Sequence, residues 1–70
     1  MKIKNVNLDI CKAKAGIRTD TELSKRTGIS RTTIIGYRNK DKFCSITLKN
    51  LMFLCSILNC KLEDLVEFEY

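Results

Sequence analysis

Apolar residues recur at a spacing close to 3.6 through most of this 70-residue chain, and alternate with a period of two only at its end. The helical stretches predict five helices, roughly Asn7–Ala15, Asp20–Thr27, Ser30–Asn39, Thr47–Leu58 and Leu62–Glu67. Asn7 can cap the first of these, Ser45 or Thr47 the fourth, and the acidic Glu63 and Asp64 suit the positive end of the fifth. Asn39–Ile46 reads as a loop with Lys40 and Lys42 at its start. After Leu65, the residues Val66, Phe68 and Tyr70 alternate with Glu67 and Glu69. That pattern fits a short strand or a helix end fraying into a tail, and its length favours the tail.

The block DTELSKRTGISRTTIIGYRN, Asp20–Asn39, carries the densest local signals. Thr19 and Glu22 form T-x-x-E ahead of Leu23, a capping box that would satisfy two backbone donors at a helix start. Gly28 suits the left-handed residue that ends a helix, Ile29 supplies the apolar contact of the turn, and Ser30 is an N-cap for the next helix. Leu23, Ile29, Ile34 and Tyr37 then fall on facing sides of the two helices and are expected to be buried. Ser24 lies where the helices cross and only a small side chain fits. Two short helices joined this way are the sequence form of a helix-turn-helix.

Seventy residues suffice for one small domain, with no proline and three glycines favouring a helical bundle. No apolar run reaches the roughly 18 residues of a membrane span, and MKIKNVNLD lacks the apolar segment of a secretory signal, so a cytoplasmic location is expected. The charge of +5 is unevenly spread: residues 1–42 carry +7 and residues 43–70 carry −2. The cationic part contains the helix-turn-helix, as binding to a polyanion requires.

These residues resemble the helix-turn-helix of the phage Cro/repressor (Xre-like) family of bacterial DNA-binding proteins. Leu8, Cys11 and Ala15 match the core face of that family's first helix, and Gly16-Ile17 the pair leading into its second. LMFLCSILNCKLEDL, Leu51–Leu65, is similar to its fourth helix, stop at Asn59 and short fifth helix. The likeness runs from Leu8 to Leu65, 58 of the 70 residues, leaving a short N-terminal arm and a C-terminal tail. It implies an all-α, lambda-repressor-like bundle of five short helices forming a single DNA-binding domain over residues 1–70.

The resemblance also implies which side chains meet DNA. Ser30, Arg31, Thr32, Ile35 and Gly36 occupy the positions that face base edges and their flanks. Arg31 can bond O6 and N7 of a guanine, Thr32 suits a thymine methyl or a phosphate, and Ile35 suits a thymine methyl. Gly36 has no side chain to read with, so its expected use is close approach to DNA or to a neighbouring chain. Thr19, Arg38, Asn39, Lys40 and Lys42 are expected at phosphates, aided by amides at the start of the second helix.

Two positions depart from the family pattern. Asp20 places a carboxylate where a neutral hydrogen-bonding residue is common, and is expected to point aside. Lys12 and Arg38 are both cationic where the family pairs a base with a glutamate. Either another acid such as Asp9 or Asp41 substitutes, or both cations turn outward; for Arg38 the outward orientation, toward DNA, is the preferred expectation.

Cys11, Cys44, Cys55 and Cys60 include no C-x-x-C, and the chain has no histidine, which argues against zinc. Cys11 and Cys55 fall on expected buried faces and Cys60 on an apolar position, whereas Cys44 lies in the basic loop. A disulfide framework is not expected in a reducing compartment. No glycine-rich phosphate loop or convergent carboxylate pair is present, so neither an enzyme nor a cofactor is expected. The leading expectation is a sequence-specific transcriptional regulator of repressor or Cro-like kind. It would bind double-stranded DNA as a homodimer on a palindromic operator, associating through the last helix and tail with Phe68 and Tyr70 as anchors. The alternative is a helical protein-interaction module, such as an anti-repressor or antitoxin component.

Overall fold

A computed structural model describes residues 1–70. Along the chain run β1 (Lys2–Val6), α1 (Leu8–Lys14), α2 (Asp20–Thr27), α3 (Arg31–Gly36), α4 (Lys40–Phe43), α5 (Leu48–Leu58), α6 (Leu62–Leu65) and β2 (Val66–Glu69). The core gathers residues from nearly every element: Leu8, Cys11, Ile17, Leu23, Ile29, Ile34, Tyr37, Phe43, Leu54, Leu58, Leu65 and Val66 form one buried cluster. Leu23, Ile29, Ile34 and Tyr37 are all inside it, as the facing-helix pattern predicts.

The fold is mostly helical, but six helices replace the expected five, and a two-stranded sheet replaces the expected arm and tail. The two chain ends pair antiparallel, with Ile3 opposite Phe68, Val6 opposite Val66 and Lys2 opposite Glu69. Ile3 and Val6 are three apart, so in a regular strand they would face opposite sides. A bulge between Ile3 and Asn5 restores their phase and turns both toward the core, where they pack beside Phe68. The Asn7 amide continues the ribbon by donating to the Leu65 carbonyl at 2.8 Å. Asn7 stands at the N-cap position of α1 but its side chain makes no cap bond; it reaches instead toward the Asp64 carbonyl and Glu67.

The expected third helix also divides. It ends at Gly36, and Asn39 becomes the N-cap of α4, its Oδ1 accepting from the amides of Asp41 and Lys42 at 2.9 and 3.4 Å. The short α4 therefore stands in what reads as a loop, held by Phe43, which is buried edge-on against Tyr37 with ring centroids 5.9 Å apart. Thr47 caps α5 by accepting from the Asn50 amide.

The end of α5 shows how a thiol can serve as an apolar contact. Asn59 adopts φ 51°, its amide donates to the Ser56 carbonyl, and the Cys60 amide reaches back to the Cys55 carbonyl at 3.1 Å. That bond pair is a Schellman stop, in which the residues corresponding to Cys55 and Cys60 make the accompanying apolar contact. Burial raises the pKa of both thiols, and Cys60, with Cys11 and Cys55 beside it, is pushed up to about 12. No helix is long and apolar enough to cross a membrane.

Candidate nucleic-acid interface

The α2–turn–α3 unit is held by short polar bonds beneath its apolar contacts. Gly28 adopts φ 78° and its amide donates to the Ser24 carbonyl at 2.9 Å, closing α2. Ser24 lies at the crossing and donates its hydroxyl to the Ile29 carbonyl at 2.6 Å. A residue the sequence reasoning missed, Thr27, is buried there: its hydroxyl donates to the Leu23 carbonyl at 2.8 Å and accepts from the Ile29 amide at 3.2 Å. A polar side chain with both capacities satisfied costs little to bury. The turn is therefore fixed on three sides.

Capping differs between the two helices. Thr19 accepts from the Glu22 amide at 3.1 Å, but the Glu22 carboxylate pairs with Arg26 at 3.0 Å instead of returning to Thr19, so the capping box is half made. Ser30 caps α3 by accepting from the Thr33 amide at 3.2 Å, and its hydroxyl also meets that of Thr33 at 2.8 Å. Ser30 thus has a structural duty at the position expected to contact DNA.

Beyond that cap, α3 has two distinct faces. Ile34 and Tyr37 point into the core, while Arg31, Thr32 and Ile35 are exposed together on the opposite side. A side chain at Arg31 and one at Ile35 are a helical turn apart, so the three form a short contiguous strip. Gly36, at the end of α3, lies beside Lys42 of α4. A Cβ there would lie 3.3 Å from Cδ of Lys42, so the bare backbone accommodates the aliphatic stem of a lysine from α4. Lys40 and Lys42 are exposed beside the end of α3, as is Asn39, whose Oδ1 is occupied as a cap.

Arg38 does not turn outward as expected. Its guanidinium is clasped by two carboxylates: Nε and Nη2 donate to Asp9 Oδ1 at 3.1 and 2.6 Å, and Nη1 and Nη2 donate to Asp20 at 3.1 and 2.8 Å. Lys12 completes the cluster, its Nζ 3.0 Å from Asp20 Oδ1 and 3.7 Å from Asp9 Oδ1. Hydrogen bonds from Arg38 hold both carboxyls below the usual carboxylate range, with Lys12 assisting, and the two carboxylates raise the guanidinium in turn. The reason for the correction is geometric. A planar fork with five donors can satisfy two carboxylates at once, and both lie within its reach on α1 and α2. The ion pair that the family places between helix one and the recognition helix is thus rebuilt with the cation on the other partner. Asp20 points into this cluster, so its charge is neutralised at the mouth of α2.

A family model described as a Cro/C1-type HTH DNA-binding domain matches residues 7–70, nearly the whole chain. The chain belongs to that family. Neither the curated proteins nor the solved structures gave a match. Membership makes this a helix-turn-helix DNA-binding domain, and its α2–turn–α3 unit leaves Arg31, Thr32 and Ile35 exposed on the outer face of α3. Within this family member, α1, α2 and the segment after α3 are joined by Asp9, Asp20 and Arg38. A second tie runs from α5, where Asn50 Nδ2 donates to the Tyr37 hydroxyl at 2.9 Å. No local pattern announces either contact, because the partners are separated in sequence.

Proposed function

We propose that the protein is a transcriptional regulator of repressor or Cro-like kind that inserts α3 into the DNA major groove and reads sequence there. The observation that carries this is the exposed strip of Arg31, Thr32 and Ile35 on a helix whose other face is locked into the core. Arg31 serves as the direct reader of guanine, and Thr32 and Ile35 make apolar or phosphate contacts beside it. Thr19, Asn39, Lys40 and Lys42 grip phosphates on either side, with the amides of Asp20 and Thr21 at the open end of α2. Arg38 acts through position: it fixes the angle at which α1 and α2 present the recognition helix. The protein binds as a homodimer to a two-fold operator whose half-sites lie about one helical turn apart. Phe68 is drawn partly into the bundle and Tyr70 is left exposed, so Tyr70 is the aromatic of the tail open to that dimer.

The test is selection of bound sequences from a random DNA pool at two salt concentrations, followed by affinity measurement for an Arg31→Ala, Thr32→Ala double variant. Ser30 is left intact because its loss would also remove a helix cap. Loss of the Arg31 contact lowers affinity for the selected site by about 10- to 100-fold and leaves weak, salt-dependent binding to unrelated DNA. Unchanged affinity in a folded variant would refute groove reading and favour a protein-interaction module.

A further inference from the structure

We propose that Lys42 is a base reader: reaching from α4 over Gly36, it places its ammonium against the O6 and N7 edge of a guanine in the major groove. This rests on the reading above that α3 enters that groove, and it moves Lys42 from the residues that grip phosphates to those that determine specificity.

Helix geometry leaves a gap in the exposed strip of α3. Arg31 and Ile35 stand one turn apart, and so do Thr32 and Gly36. With Ile34 and Tyr37 on the buried side, position 36 belongs to the same outward surface as Thr32. A side chain there would continue the strip, and glycine supplies none. The gap is nevertheless occupied. A Cβ at Gly36 would meet Cδ of Lys42 at 3.3 Å and, beyond the helix itself, nothing else within 4 Å. The stem of a lysine from the next helix covers the spot, and its Cε and Nζ extend about 2.5 Å further.

The backbone of Lys42 is held on both sides. Its amide and that of Asp41 donate to Asn39 Oδ1 at 3.4 and 2.9 Å, and the next residue, Phe43, is buried against Tyr37. Residues two apart on a helix point about 200° apart, so Lys40 and Lys42 leave α4 on opposite sides. Lys40 lines a shallow depression with Lys2 and Lys4 of β1, whereas Lys42 lies over the end of α3. One lysine therefore borders the strand and the other borders the reading helix.

The ammonium is also free to bond. Lys42 is exposed and takes part in none of the ion pairs of the chain, although Asp41 is its neighbour in sequence. Arg38, two residues after Gly36, is held by Asp9 and Asp20 and turns away from the strip. Lys42 is the cation left beside the gap. An ammonium with three donors suits the adjacent O6 and N7 acceptors of guanine, whereas adenine and cytosine each present an amino donor that opposes it. A phosphate can be reached from any exposed position on α4. Lying across the outward end of α3 is what sets Lys42 apart from Lys40.

Affinities of the full chain for the selected site, and for every single base-pair substitution of it, test this. Lys42→Met keeps a stem over Gly36 and deletes the ammonium. It is expected to lower affinity for the selected site about 5- to 100-fold and to abolish the preference for guanine at one base pair, with preferences elsewhere kept. Lys40→Met removes a phosphate contact, so it should weaken all sequences alike and reduce the salt slope by about 0.9. Replacing the guanine by 7-deazaguanine, which lacks the N7 acceptor, should weaken binding by the unaltered chain and cost Lys42→Met nothing further. A Lys42→Met variant with unchanged helical circular dichroism that weakens all sequences equally would overturn the assignment. So would a 7-deazaguanine loss of equal size in both proteins. In either case groove reading by α3 stands if the Arg31→Ala, Thr32→Ala variant still loses the selected site. An unaltered chain that selects no sequence sinks both.

Discussion

Replacing Arg38 with methionine separates the stabilising role of the Asp9–Arg38–Asp20 clasp from any electrostatic role toward DNA. Methionine keeps most of the aliphatic stem and deletes the bonds donated to both carboxylates. The Arg38 and Asp20 side chains are 30% and 22% exposed, between the surface and interior limits for ion pairs, whereas Asp9 is 67% exposed and strongly screened. The Asp20 arm is therefore worth about 1 kcal/mol and the Asp9 arm about 0.3, with the remaining repulsion between two carboxylates bringing the loss to about 1.5 kcal/mol. For a domain of this size that corresponds to a fall in Tm of about 6–12 °C. The pH dependence follows from the direction of the shifts. Both carboxyls titrate below their ordinary value in the folded chain, so their contribution is full above about pH 5 and lost as pH falls through the folded values, below 3.8. Urea unfolding followed by circular dichroism, at pH 7 and near pH 2, measures this directly. The variant should be less stable at pH 7 and nearly equal to the parent near pH 2. A loss under about 0.3 kcal/mol at pH 7, or the same loss at both pH values, would refute the reasoning.

Two further outcomes follow from the turn and the thiols. Gly28→Ala places no atom within 4 Å of its new Cβ, so its cost is conformational alone, about 1–2 kcal/mol for an L residue at φ 78°; an unchanged Tm would contradict the left-handed turn. Iodoacetamide at pH 8 should modify Cys44 first, because Cys11 is buried and the Cys55 and Cys60 thiols are raised by burial. Mass spectrometry should show one fast adduct in the native chain and four after denaturation; early modification of Cys60 would contradict its environment.

The two-stranded ribbon shows where local pattern loses its hold. Val66 and Phe68 alternate correctly, but four residues at a chain end have no intrinsic reason to pair, and a frayed tail costs less until a partner strand exists. That partner, KIKNV, hides its apolar phase because a bulge is needed to turn Ile3 and Val6 the same way. α4 is illegible for a related reason. Four residues make no periodicity, and the segment is helical because Asn39 caps it and Phe43 is buried against Tyr37. Arg38 illustrates the electrostatic version. Two arrangements are open to it in the sequence, and only the placement of α1 against α2 brings two carboxylates within reach of one guanidinium.

The sequence by itself determined the helix-turn-helix, because its determinants are local: a threonine and a serine at helix starts, glycine at the left-handed turn, and four apolar residues at fixed spacing. The buried face of α1 and the stop at Asn59 were legible through the resemblance to the family's first and fourth helices. Tertiary structure alone decided the pairing of the chain ends, the inward clasp of Arg38, the closeness of Lys42 to Gly36, and the apolar surface left on α5. Each of those depends on residues that meet only after the chain has folded, where burial and ion pairing act across sequence distance and local propensity has no say.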